Sequence, residues 1–231
     1  MRPIYYNILK RFTMKLFYTL VLLSALIHLN GQGLDTANIK KTHLQQLITP
    51  AALMIGGGIS AINFNPSIDE AIFKKRNVDY ANFNTNADDY LQFAPLVLTY
   101  GFDFIGMTPK TDFINRSVIL FKSEVLMLGT VLTLKTVIHK LRPDASENNS
   151  FPSGHTASAF AAATFLSEEF GEKYKWVPYV SYSLASSVGV LRIMNNKHYL
   201  SDVLVGAGIG FLSTKVAYWT HQYKWGKKKN N

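Results

Sequence analysis

Five apolar segments, residues 90–107, 117–134, 156–170, 176–191 and 203–220, follow one another with only short polar joints between them. Their hydrophobic residues run on without the period-two alternation of a half-buried strand, so helices are predicted throughout. A sixth apolar piece, "PAALMIGGGISAINF" at residues 50–64, is too short for a confident span and is read as a buried or interfacial helix. Gly-rich patches such as "VGAGIG" suit helices that pack closely, as small residues do in membrane bundles. The expected fold is all-α, a bundle of about five to six core helices, membrane-spanning in the preferred reading.

Hydropathy alone points the other way. Each segment is at or below the roughly 20 residues a bilayer crossing takes, Asp103, Lys122, Glu124 and Lys215 lie inside them, and the mean hydropathy of the chain is only +0.05. Charge placement decides for the membrane. The 231 residues carry a formal net charge of +9, which in a soluble chain would raise nucleic acid as a partner. Here, if an N-terminal apolar run crosses from inside to outside, alternation of the following segments puts the basic joints "PKTDFINR" and "GEKYK" and the tail "HQYKWGKKKNN" inside. Lys122 and Lys215 then lie near inner ends, where long side chains reach the headgroups. The basic joint "HKLRP" falls outside and breaks the pattern.

The N-terminal run supports export. Arg2, Lys10, Arg11 and Lys15 precede an uncharged apolar stretch at residues 16–29, followed by small and polar residues. This is the layout of a signal peptide or signal anchor over residues 1–31. Met14 opens a complete signal by itself, "MKLFYTLVLLSALIHLNG". Residues 32–89 are then an exported polar segment carrying the short apolar helix, and residues 90–231 the helical bundle. No nucleic-acid partner is expected, and with no cysteine in the chain neither disulfides nor thiolate metal sites are possible.

The same alternation gathers residues 135–155 and 192–202 at the outer ends of the helices, and the unusual polar residues lie there. In "KTVIHKLRP", Lys135 sits near a helix end and Arg142 precedes a proline that biases it toward extended geometry. The two can converge on one anion, although alone they also fit ordinary charge at a helix C-terminus. In "FPSGHT", Pro152, Ser153 and Gly154 suit a helix start whose free amides seat an anion. His155 beside them is placed to give a proton, or is a solvated first-turn residue. In "LRIMNNKHYLSD", Arg192 ends a segment and Asp202 follows His198 by four residues. On a helix that spacing shares one face, so Asp202 can orient His198 as a nucleophile, or form a merely structural hydrogen bond. No Asp/Glu cluster for magnesium and no His/Cys spacing for zinc accompanies them. The paired Asp88 and Asp89 of "NADDYLQFAPL" are expected to cap a helix start and are assigned no chemistry.

Taken together, Lys135-x6-Arg142-Pro143, Pro152-Ser153-Gly154-His155 and Arg192-x5-His198-x3-Asp202 resemble the three-part signature of the type-2 phosphatidic acid phosphatase family, related to vanadium-dependent haloperoxidases. The resemblance covers the C-terminal half of the chain. It implies that His198 attacks phosphorus to form a phosphohistidine, that Asp202 holds it, and that His155 protonates the leaving oxygen and later activates water. It implies that Lys135, Arg142, Arg192, Ser153 and the Gly154 amide bind the phosphate oxygens, with no metal or other cofactor. One position departs from the family: Leu191 stands where a serine usually precedes the arginine, which removes a hydroxyl donor. The "DASENNSF" loop between Pro143 and Pro152 is short and leaves little room for a lid over a large soluble substrate.

The expected function is therefore hydrolysis of a lipid-linked phosphate or pyrophosphate (phosphatidate, phosphatidylglycerol phosphate, a lipid A phosphate or undecaprenyl pyrophosphate) by a membrane protein whose site faces the exported, periplasmic or extracellular side. The alternatives are a soluble exported, periplasmic acid phosphatase acting on small phosphate esters and a non-enzymatic phospholipid-binding membrane protein.

Overall fold

The computed structural model describes residues 43–62 and 66–221. The expected export signal at residues 1–31 and most of the basic tail lie outside the described residues. Every regular element among the described residues is a helix: α1 (His43–Gln46), α2 (Ile48–Ala61), α3 (Ile68–Asp79), α4 (Ala87–Leu91), α5 (Ala94–Phe104), α6 (Phe113–Ile138), α7 (Gly154–Phe170), α8 (Val177–Met194) and α9 (Leu200–Trp219).

Local chemistry sets most of the helix limits. Asp112 starts α6 by accepting from the amides of Ile114 and Asn115, both at 3.1 Å. His139 ends it with φ 45°, the left-handed turn that stops a helix. The segment predicted as one helix over residues 90–107 is two, α4 and α5, because Pro95 sits in the first turn of α5, where its missing amide hydrogen costs nothing. The start of α9 carries a further correction: His198 precedes the helix, and Asp202 accepts from the Tyr199 amide at 2.9 Å as a cap. His198 and Asp202 are therefore brought together by a helix start rather than by one helical face.

Helix α9 is the centre of the bundle, with α2, α6, α7 and α8 packed on it. Its glycines make that possible on two faces. A Cβ at Gly206 would fall 2.5 Å from the Ser153 carbonyl oxygen, and one at Gly210 would fall 2.1 Å from that of Ala157, so one i, i+4 face admits α7 and the loop before it. On the other side, a Cβ at Gly208 would meet Met54 of α2 at 2.7 Å. Between α6, α7 and α9 the core closes with Met127, Val131, Ala157, Ala161, Val205 and Ile209. At about 25 cal/mol per Å² of apolar surface withdrawn from water, such contacts supply the main stabilising term.

Among the described residues, two helices are long and apolar enough to cross a membrane. The 26 residues of α6 extend about 39 Å at about 1.5 Å each, and only 22% of its most apolar window is buried. Phe121, Val125, Leu128 and Leu132, spaced four, three and four apart, stand 69%, 53%, 48% and 58% exposed along it. The apolar window of α9, by contrast, is 67% buried, as its central place requires.

For the site, the consequence of the fold is directional. The C-terminal ends of α6 and α8 and the N-terminal ends of α7 and α9 arrive at one rim, where their loops are hydrogen-bonded to each other.

Candidate active site at one rim of the bundle

The rim collects the loop after α6, the loop before α7 and the turn between α8 and α9. Backbone bonds stitch these loops to each other: Asp144 donates to Asn196 at 3.1 Å, and Ser153 donates to the Asp202 carbonyl at 3.0 Å. Side chains separated by many residues of sequence are thereby held in one small volume.

His198 is buried, with 2% of its side chain exposed. Its amide donates to the Arg192 carbonyl at 3.3 Å, which ties the imidazole to the arginine that ends α8. Burial pushes its pKa down to about 4; Asp202 opposes that shift, while Arg192 and Lys135 add to it. The ring is therefore neutral at pH 7 and keeps a lone pair available for attack.

Asp202 faces His198, with Oδ2 3.8 Å from Nδ1, beyond hydrogen-bond reach. The carboxylate is occupied elsewhere: Ser150 Oγ donates to Oδ2 at 2.5 Å, the Tyr199 amide donates to the same oxygen, and Lys140 Nζ donates to Oδ1 at 2.9 Å. Lys140 also lies 3.5 Å from Asp69 of α3 and 4.4 Å above the Tyr199 ring. Asp202 thus both faces the candidate nucleophile and anchors a local network.

The cations line the same rim. Lys135 donates to the Asn149 carbonyl and lies within the electrostatic reach of Arg142, Arg192 and Asp202. Arg142 pairs with Glu147 at 3.1 Å. Arg192, 8% exposed, pairs through Nη1 with Asp88 at 2.6 Å. Among the described residues, the buried Nε atoms of Arg142 and Arg192 and Nδ1 of His198 have no hydrogen-bond partner. Buried donors left open in this way cost free energy, so a site that gathers them suits an incoming acceptor.

The start of α7 divides its duties. Ser153 is fully buried and its Oγ is shared with Thr156, accepting from the amide at 3.4 Å and meeting Oγ1 at 2.8 Å. Its hydroxyl is engaged in capping. Gly154 is open above: a Cβ there would meet only Val131, at 3.8 Å. His155 is a third exposed and bonds through Nε2 to Asp89 Oδ1 at 2.8 Å.

Sequence reasoning missed four partners of this site. Asp88 and Asp89 do not cap α4; their carboxylates reach across the bundle to Arg192 and Asn195 and to His155. Lys140 and Ser150 hold Asp202. All four pair over sequence separations of 52 to 107 residues, where no spacing rule reaches. The joint "HKLRP" carries Lys140 two residues before Arg142, but nothing in it marks the lysine as a partner of Asp202.

Residues 131–226 match the PAP2 superfamily. A lipid A 1-phosphatase of Porphyromonas gingivalis is 37% identical over 163 residues, 69% of this chain and 36% of that protein. A probable diacylglycerol pyrophosphate phosphatase 1 of Schizosaccharomyces pombe is 38% identical over 80 residues, 30% of this chain and 29% of that protein. The chain spans about a third of the length of these curated relatives. In fold it resembles the crystal structure of Aquifex aeolicus LpxE, with a TM-score of 0.51 at 24% identity over 68% of this chain and 99% of that one.

Proposed function

We propose that this chain, which belongs to the PAP2 superfamily, is a membrane-embedded, metal-independent phosphatase that hydrolyses a lipid-linked phosphate or pyrophosphate through a phosphohistidine on His198. The observation that carries this reading is the company of His198: a buried, neutral imidazole at a rim where Arg192, Arg142 and Lys135 also end and where buried donors stand open. Phosphoryl transfer asks chiefly for positioning and for positive charge around the equatorial oxygens. Three fixed cations supply that charge from the chain itself.

In the proposed sequence the Nε2 lone pair of His198 attacks phosphorus and the bond to the leaving oxygen breaks. That oxygen takes the proton of His155 and departs as an alcohol or as the shorter phosphate. Water then attacks the phosphohistidine, His155 takes its proton, and inorganic phosphate leaves with His198 restored. Lys135, Arg142, Arg192 and the Gly154 amide hold the phosphate oxygens. Ser153 contributes through the helix start it caps. Leu191 offers no hydroxyl, so phosphate binding rests on charge-assisted contacts of about 1.5–3 kcal/mol each.

The substrate class follows from the outside of the bundle. A stripe of exposed Phe, Val and Leu along α6 is costly in water and at home in lipid. A substrate whose acyl chains stay in the bilayer can reach the rim without leaving it. The lipid A 1-phosphatase relative makes a lipid A phosphate the first substrate to try. We place the rim on the exported face, because Lys110, Lys173 and Lys175 lie at the opposite ends of the same helices. The division into an export signal at 1–31, an exported segment at 32–89 and a catalytic bundle at 90–231 is part of the same proposal.

Purified full-length protein in detergent, given a panel of lipid phosphates, lipid pyrophosphates and small soluble esters, tests the reading. Phosphate release from a lipid substrate is expected to persist in chelator and to fall with vanadate. A strict requirement for added magnesium, or faster release from small esters than from every lipid, contradicts it.

A further inference from the structure

The short helix α4 holds two neighbouring carboxylates that the reaction scheme above leaves unused, and each grips a member of the candidate site. Asp88 is 1% exposed. Its Oδ2 accepts from Arg192 Nη1 at 2.6 Å and its Oδ1 from Asn195 Nδ2 at 2.8 Å. Asn195 in turn clasps Thr85, donating to its carbonyl at 2.8 Å and accepting from its amide at 3.0 Å. The segment that carries α4 is therefore fastened to the end of α8 by three hydrogen bonds through one asparagine. Asp89, the next residue, is fixed by that clasp at 2.8 Å from His155 Nε2. Neither aspartate lies in residues 131–226, which match the superfamily.

We propose that Asp89 is the positioning residue of His155, holding the ring by Nε2 and stabilising its protonated form, and that Asp88 fixes α4 and Arg192 so that it can do so. The inference rests on the phosphatase reading and adds to it a second carboxylate–imidazole pair, supplied by the segment before the family motifs. With Nε2 held by Asp89, Nδ1 is the nitrogen that exchanges a proton with the leaving oxygen. The charged groups facing His155 are Asp88 and Asp89 from α4 and Arg192 from α8. Burial and Arg192 disfavour the imidazolium and Asp88 is spent on Arg192, so Asp89 is the carboxylate left to oppose them.

The sign follows directly. A general acid must be protonated, so the rate falls as pH rises through its pKa. Without the Asp89 charge the imidazolium is less stable, and the alkaline limb of the pH profile moves to lower pH.

The test compares pH profiles of kcat/KM for the parent, Asp89→Asn and Asp89→Glu on the lipid substrate that the parent hydrolyses. Asp89→Asn is expected to move the alkaline limb down by about one pH unit, a tenfold change in the apparent acid constant. Asp89→Glu, which keeps the charge, is expected to restore most of the parent profile. A merely structural role would scale the profile without moving it. If Asp89→Asn does not accumulate as folded protein, Asp89→Ala carries the same expectation. An unmoved limb overturns the proposal, and so does a variant faster than the parent at every pH, which would make Asp89 a competitor for the proton-donating nitrogen. A parent that releases no phosphate defeats the phosphatase reading instead, so the two failures are distinguishable.

Discussion

His198→Ala is expected to abolish turnover, with a loss of at least about 10⁴-fold in kcat, while the variant still binds inorganic phosphate. Removing a covalent nucleophile costs on that scale because the remaining groups bind and polarise the substrate but have no atom to transfer phosphorus to. Phosphate binding persists because Lys135, Arg142 and Arg192 are anchored by their own partners rather than by the imidazole. Single-turnover phosphate release and calorimetric titration with phosphate read the two properties separately. Turnover near the parent rate would remove His198 from the mechanism. Loss of phosphate binding together with turnover would show that the imidazole holds the site together instead of reacting in it.

Asp202→Asn is expected to lose up to about 10⁴-fold in kcat, the scale seen where an aspartate orients a catalytic histidine, and also to lose stability. The stability loss arises because the carboxylate accepts from Ser150 Oγ, Lys140 Nζ and the Tyr199 amide. Lys140 is about a quarter exposed and water screens part of that loss, so about 1–3 kcal/mol is expected. A melting curve measures the second effect, and rates taken well below the melting transition measure the first. The 3.8 Å separation from His198 gives this variant its force. If Asp202 closes on the imidazole when phosphate arrives, the rate collapses; if Asn at this position leaves the rate unchanged, the carboxylate serves only as the cap of α9 and the anchor of Lys140.

The helices were legible because their signal is local. Four of the five apolar segments became single helices, with Asp112 and Ser153 as side-chain caps at two of the starts. The convergence of the motifs at one rim was legible too, since antiparallel alternation alone sends residues 135–155 and 192–202 to the same end. The apolar run places the start of α9 at 203, three residues late, and the four-residue spacing of His198 and Asp202 fits both a helical face and a capping arrangement; in the fold the Tyr199 amide captures Asp202. Pro95 marked the break between α4 and α5, yet the apolar run across it suggested one helix. Pairings such as Arg192 with Asp88, 104 residues apart, left no trace in the sequence. They depend on how helices are laid against one another, and a pair of neighbouring aspartates at a helix start has an adequate local explanation as a cap. Lys140 was hidden for a different reason, because a lysine beside Arg142 looks like one more surface cation until Asp69 and Asp202 are seen on either side of it.

The most direct measurement of the central claim is the fate of phosphorus in the first turnover. Protein mixed rapidly with phosphorus-labelled lipid substrate and quenched in alkali is expected to carry label that is stable in base and lost in acid, on the peptide that contains His198. Label on another residue, or a first turnover that releases phosphate with no labelled protein at any time, would contradict it.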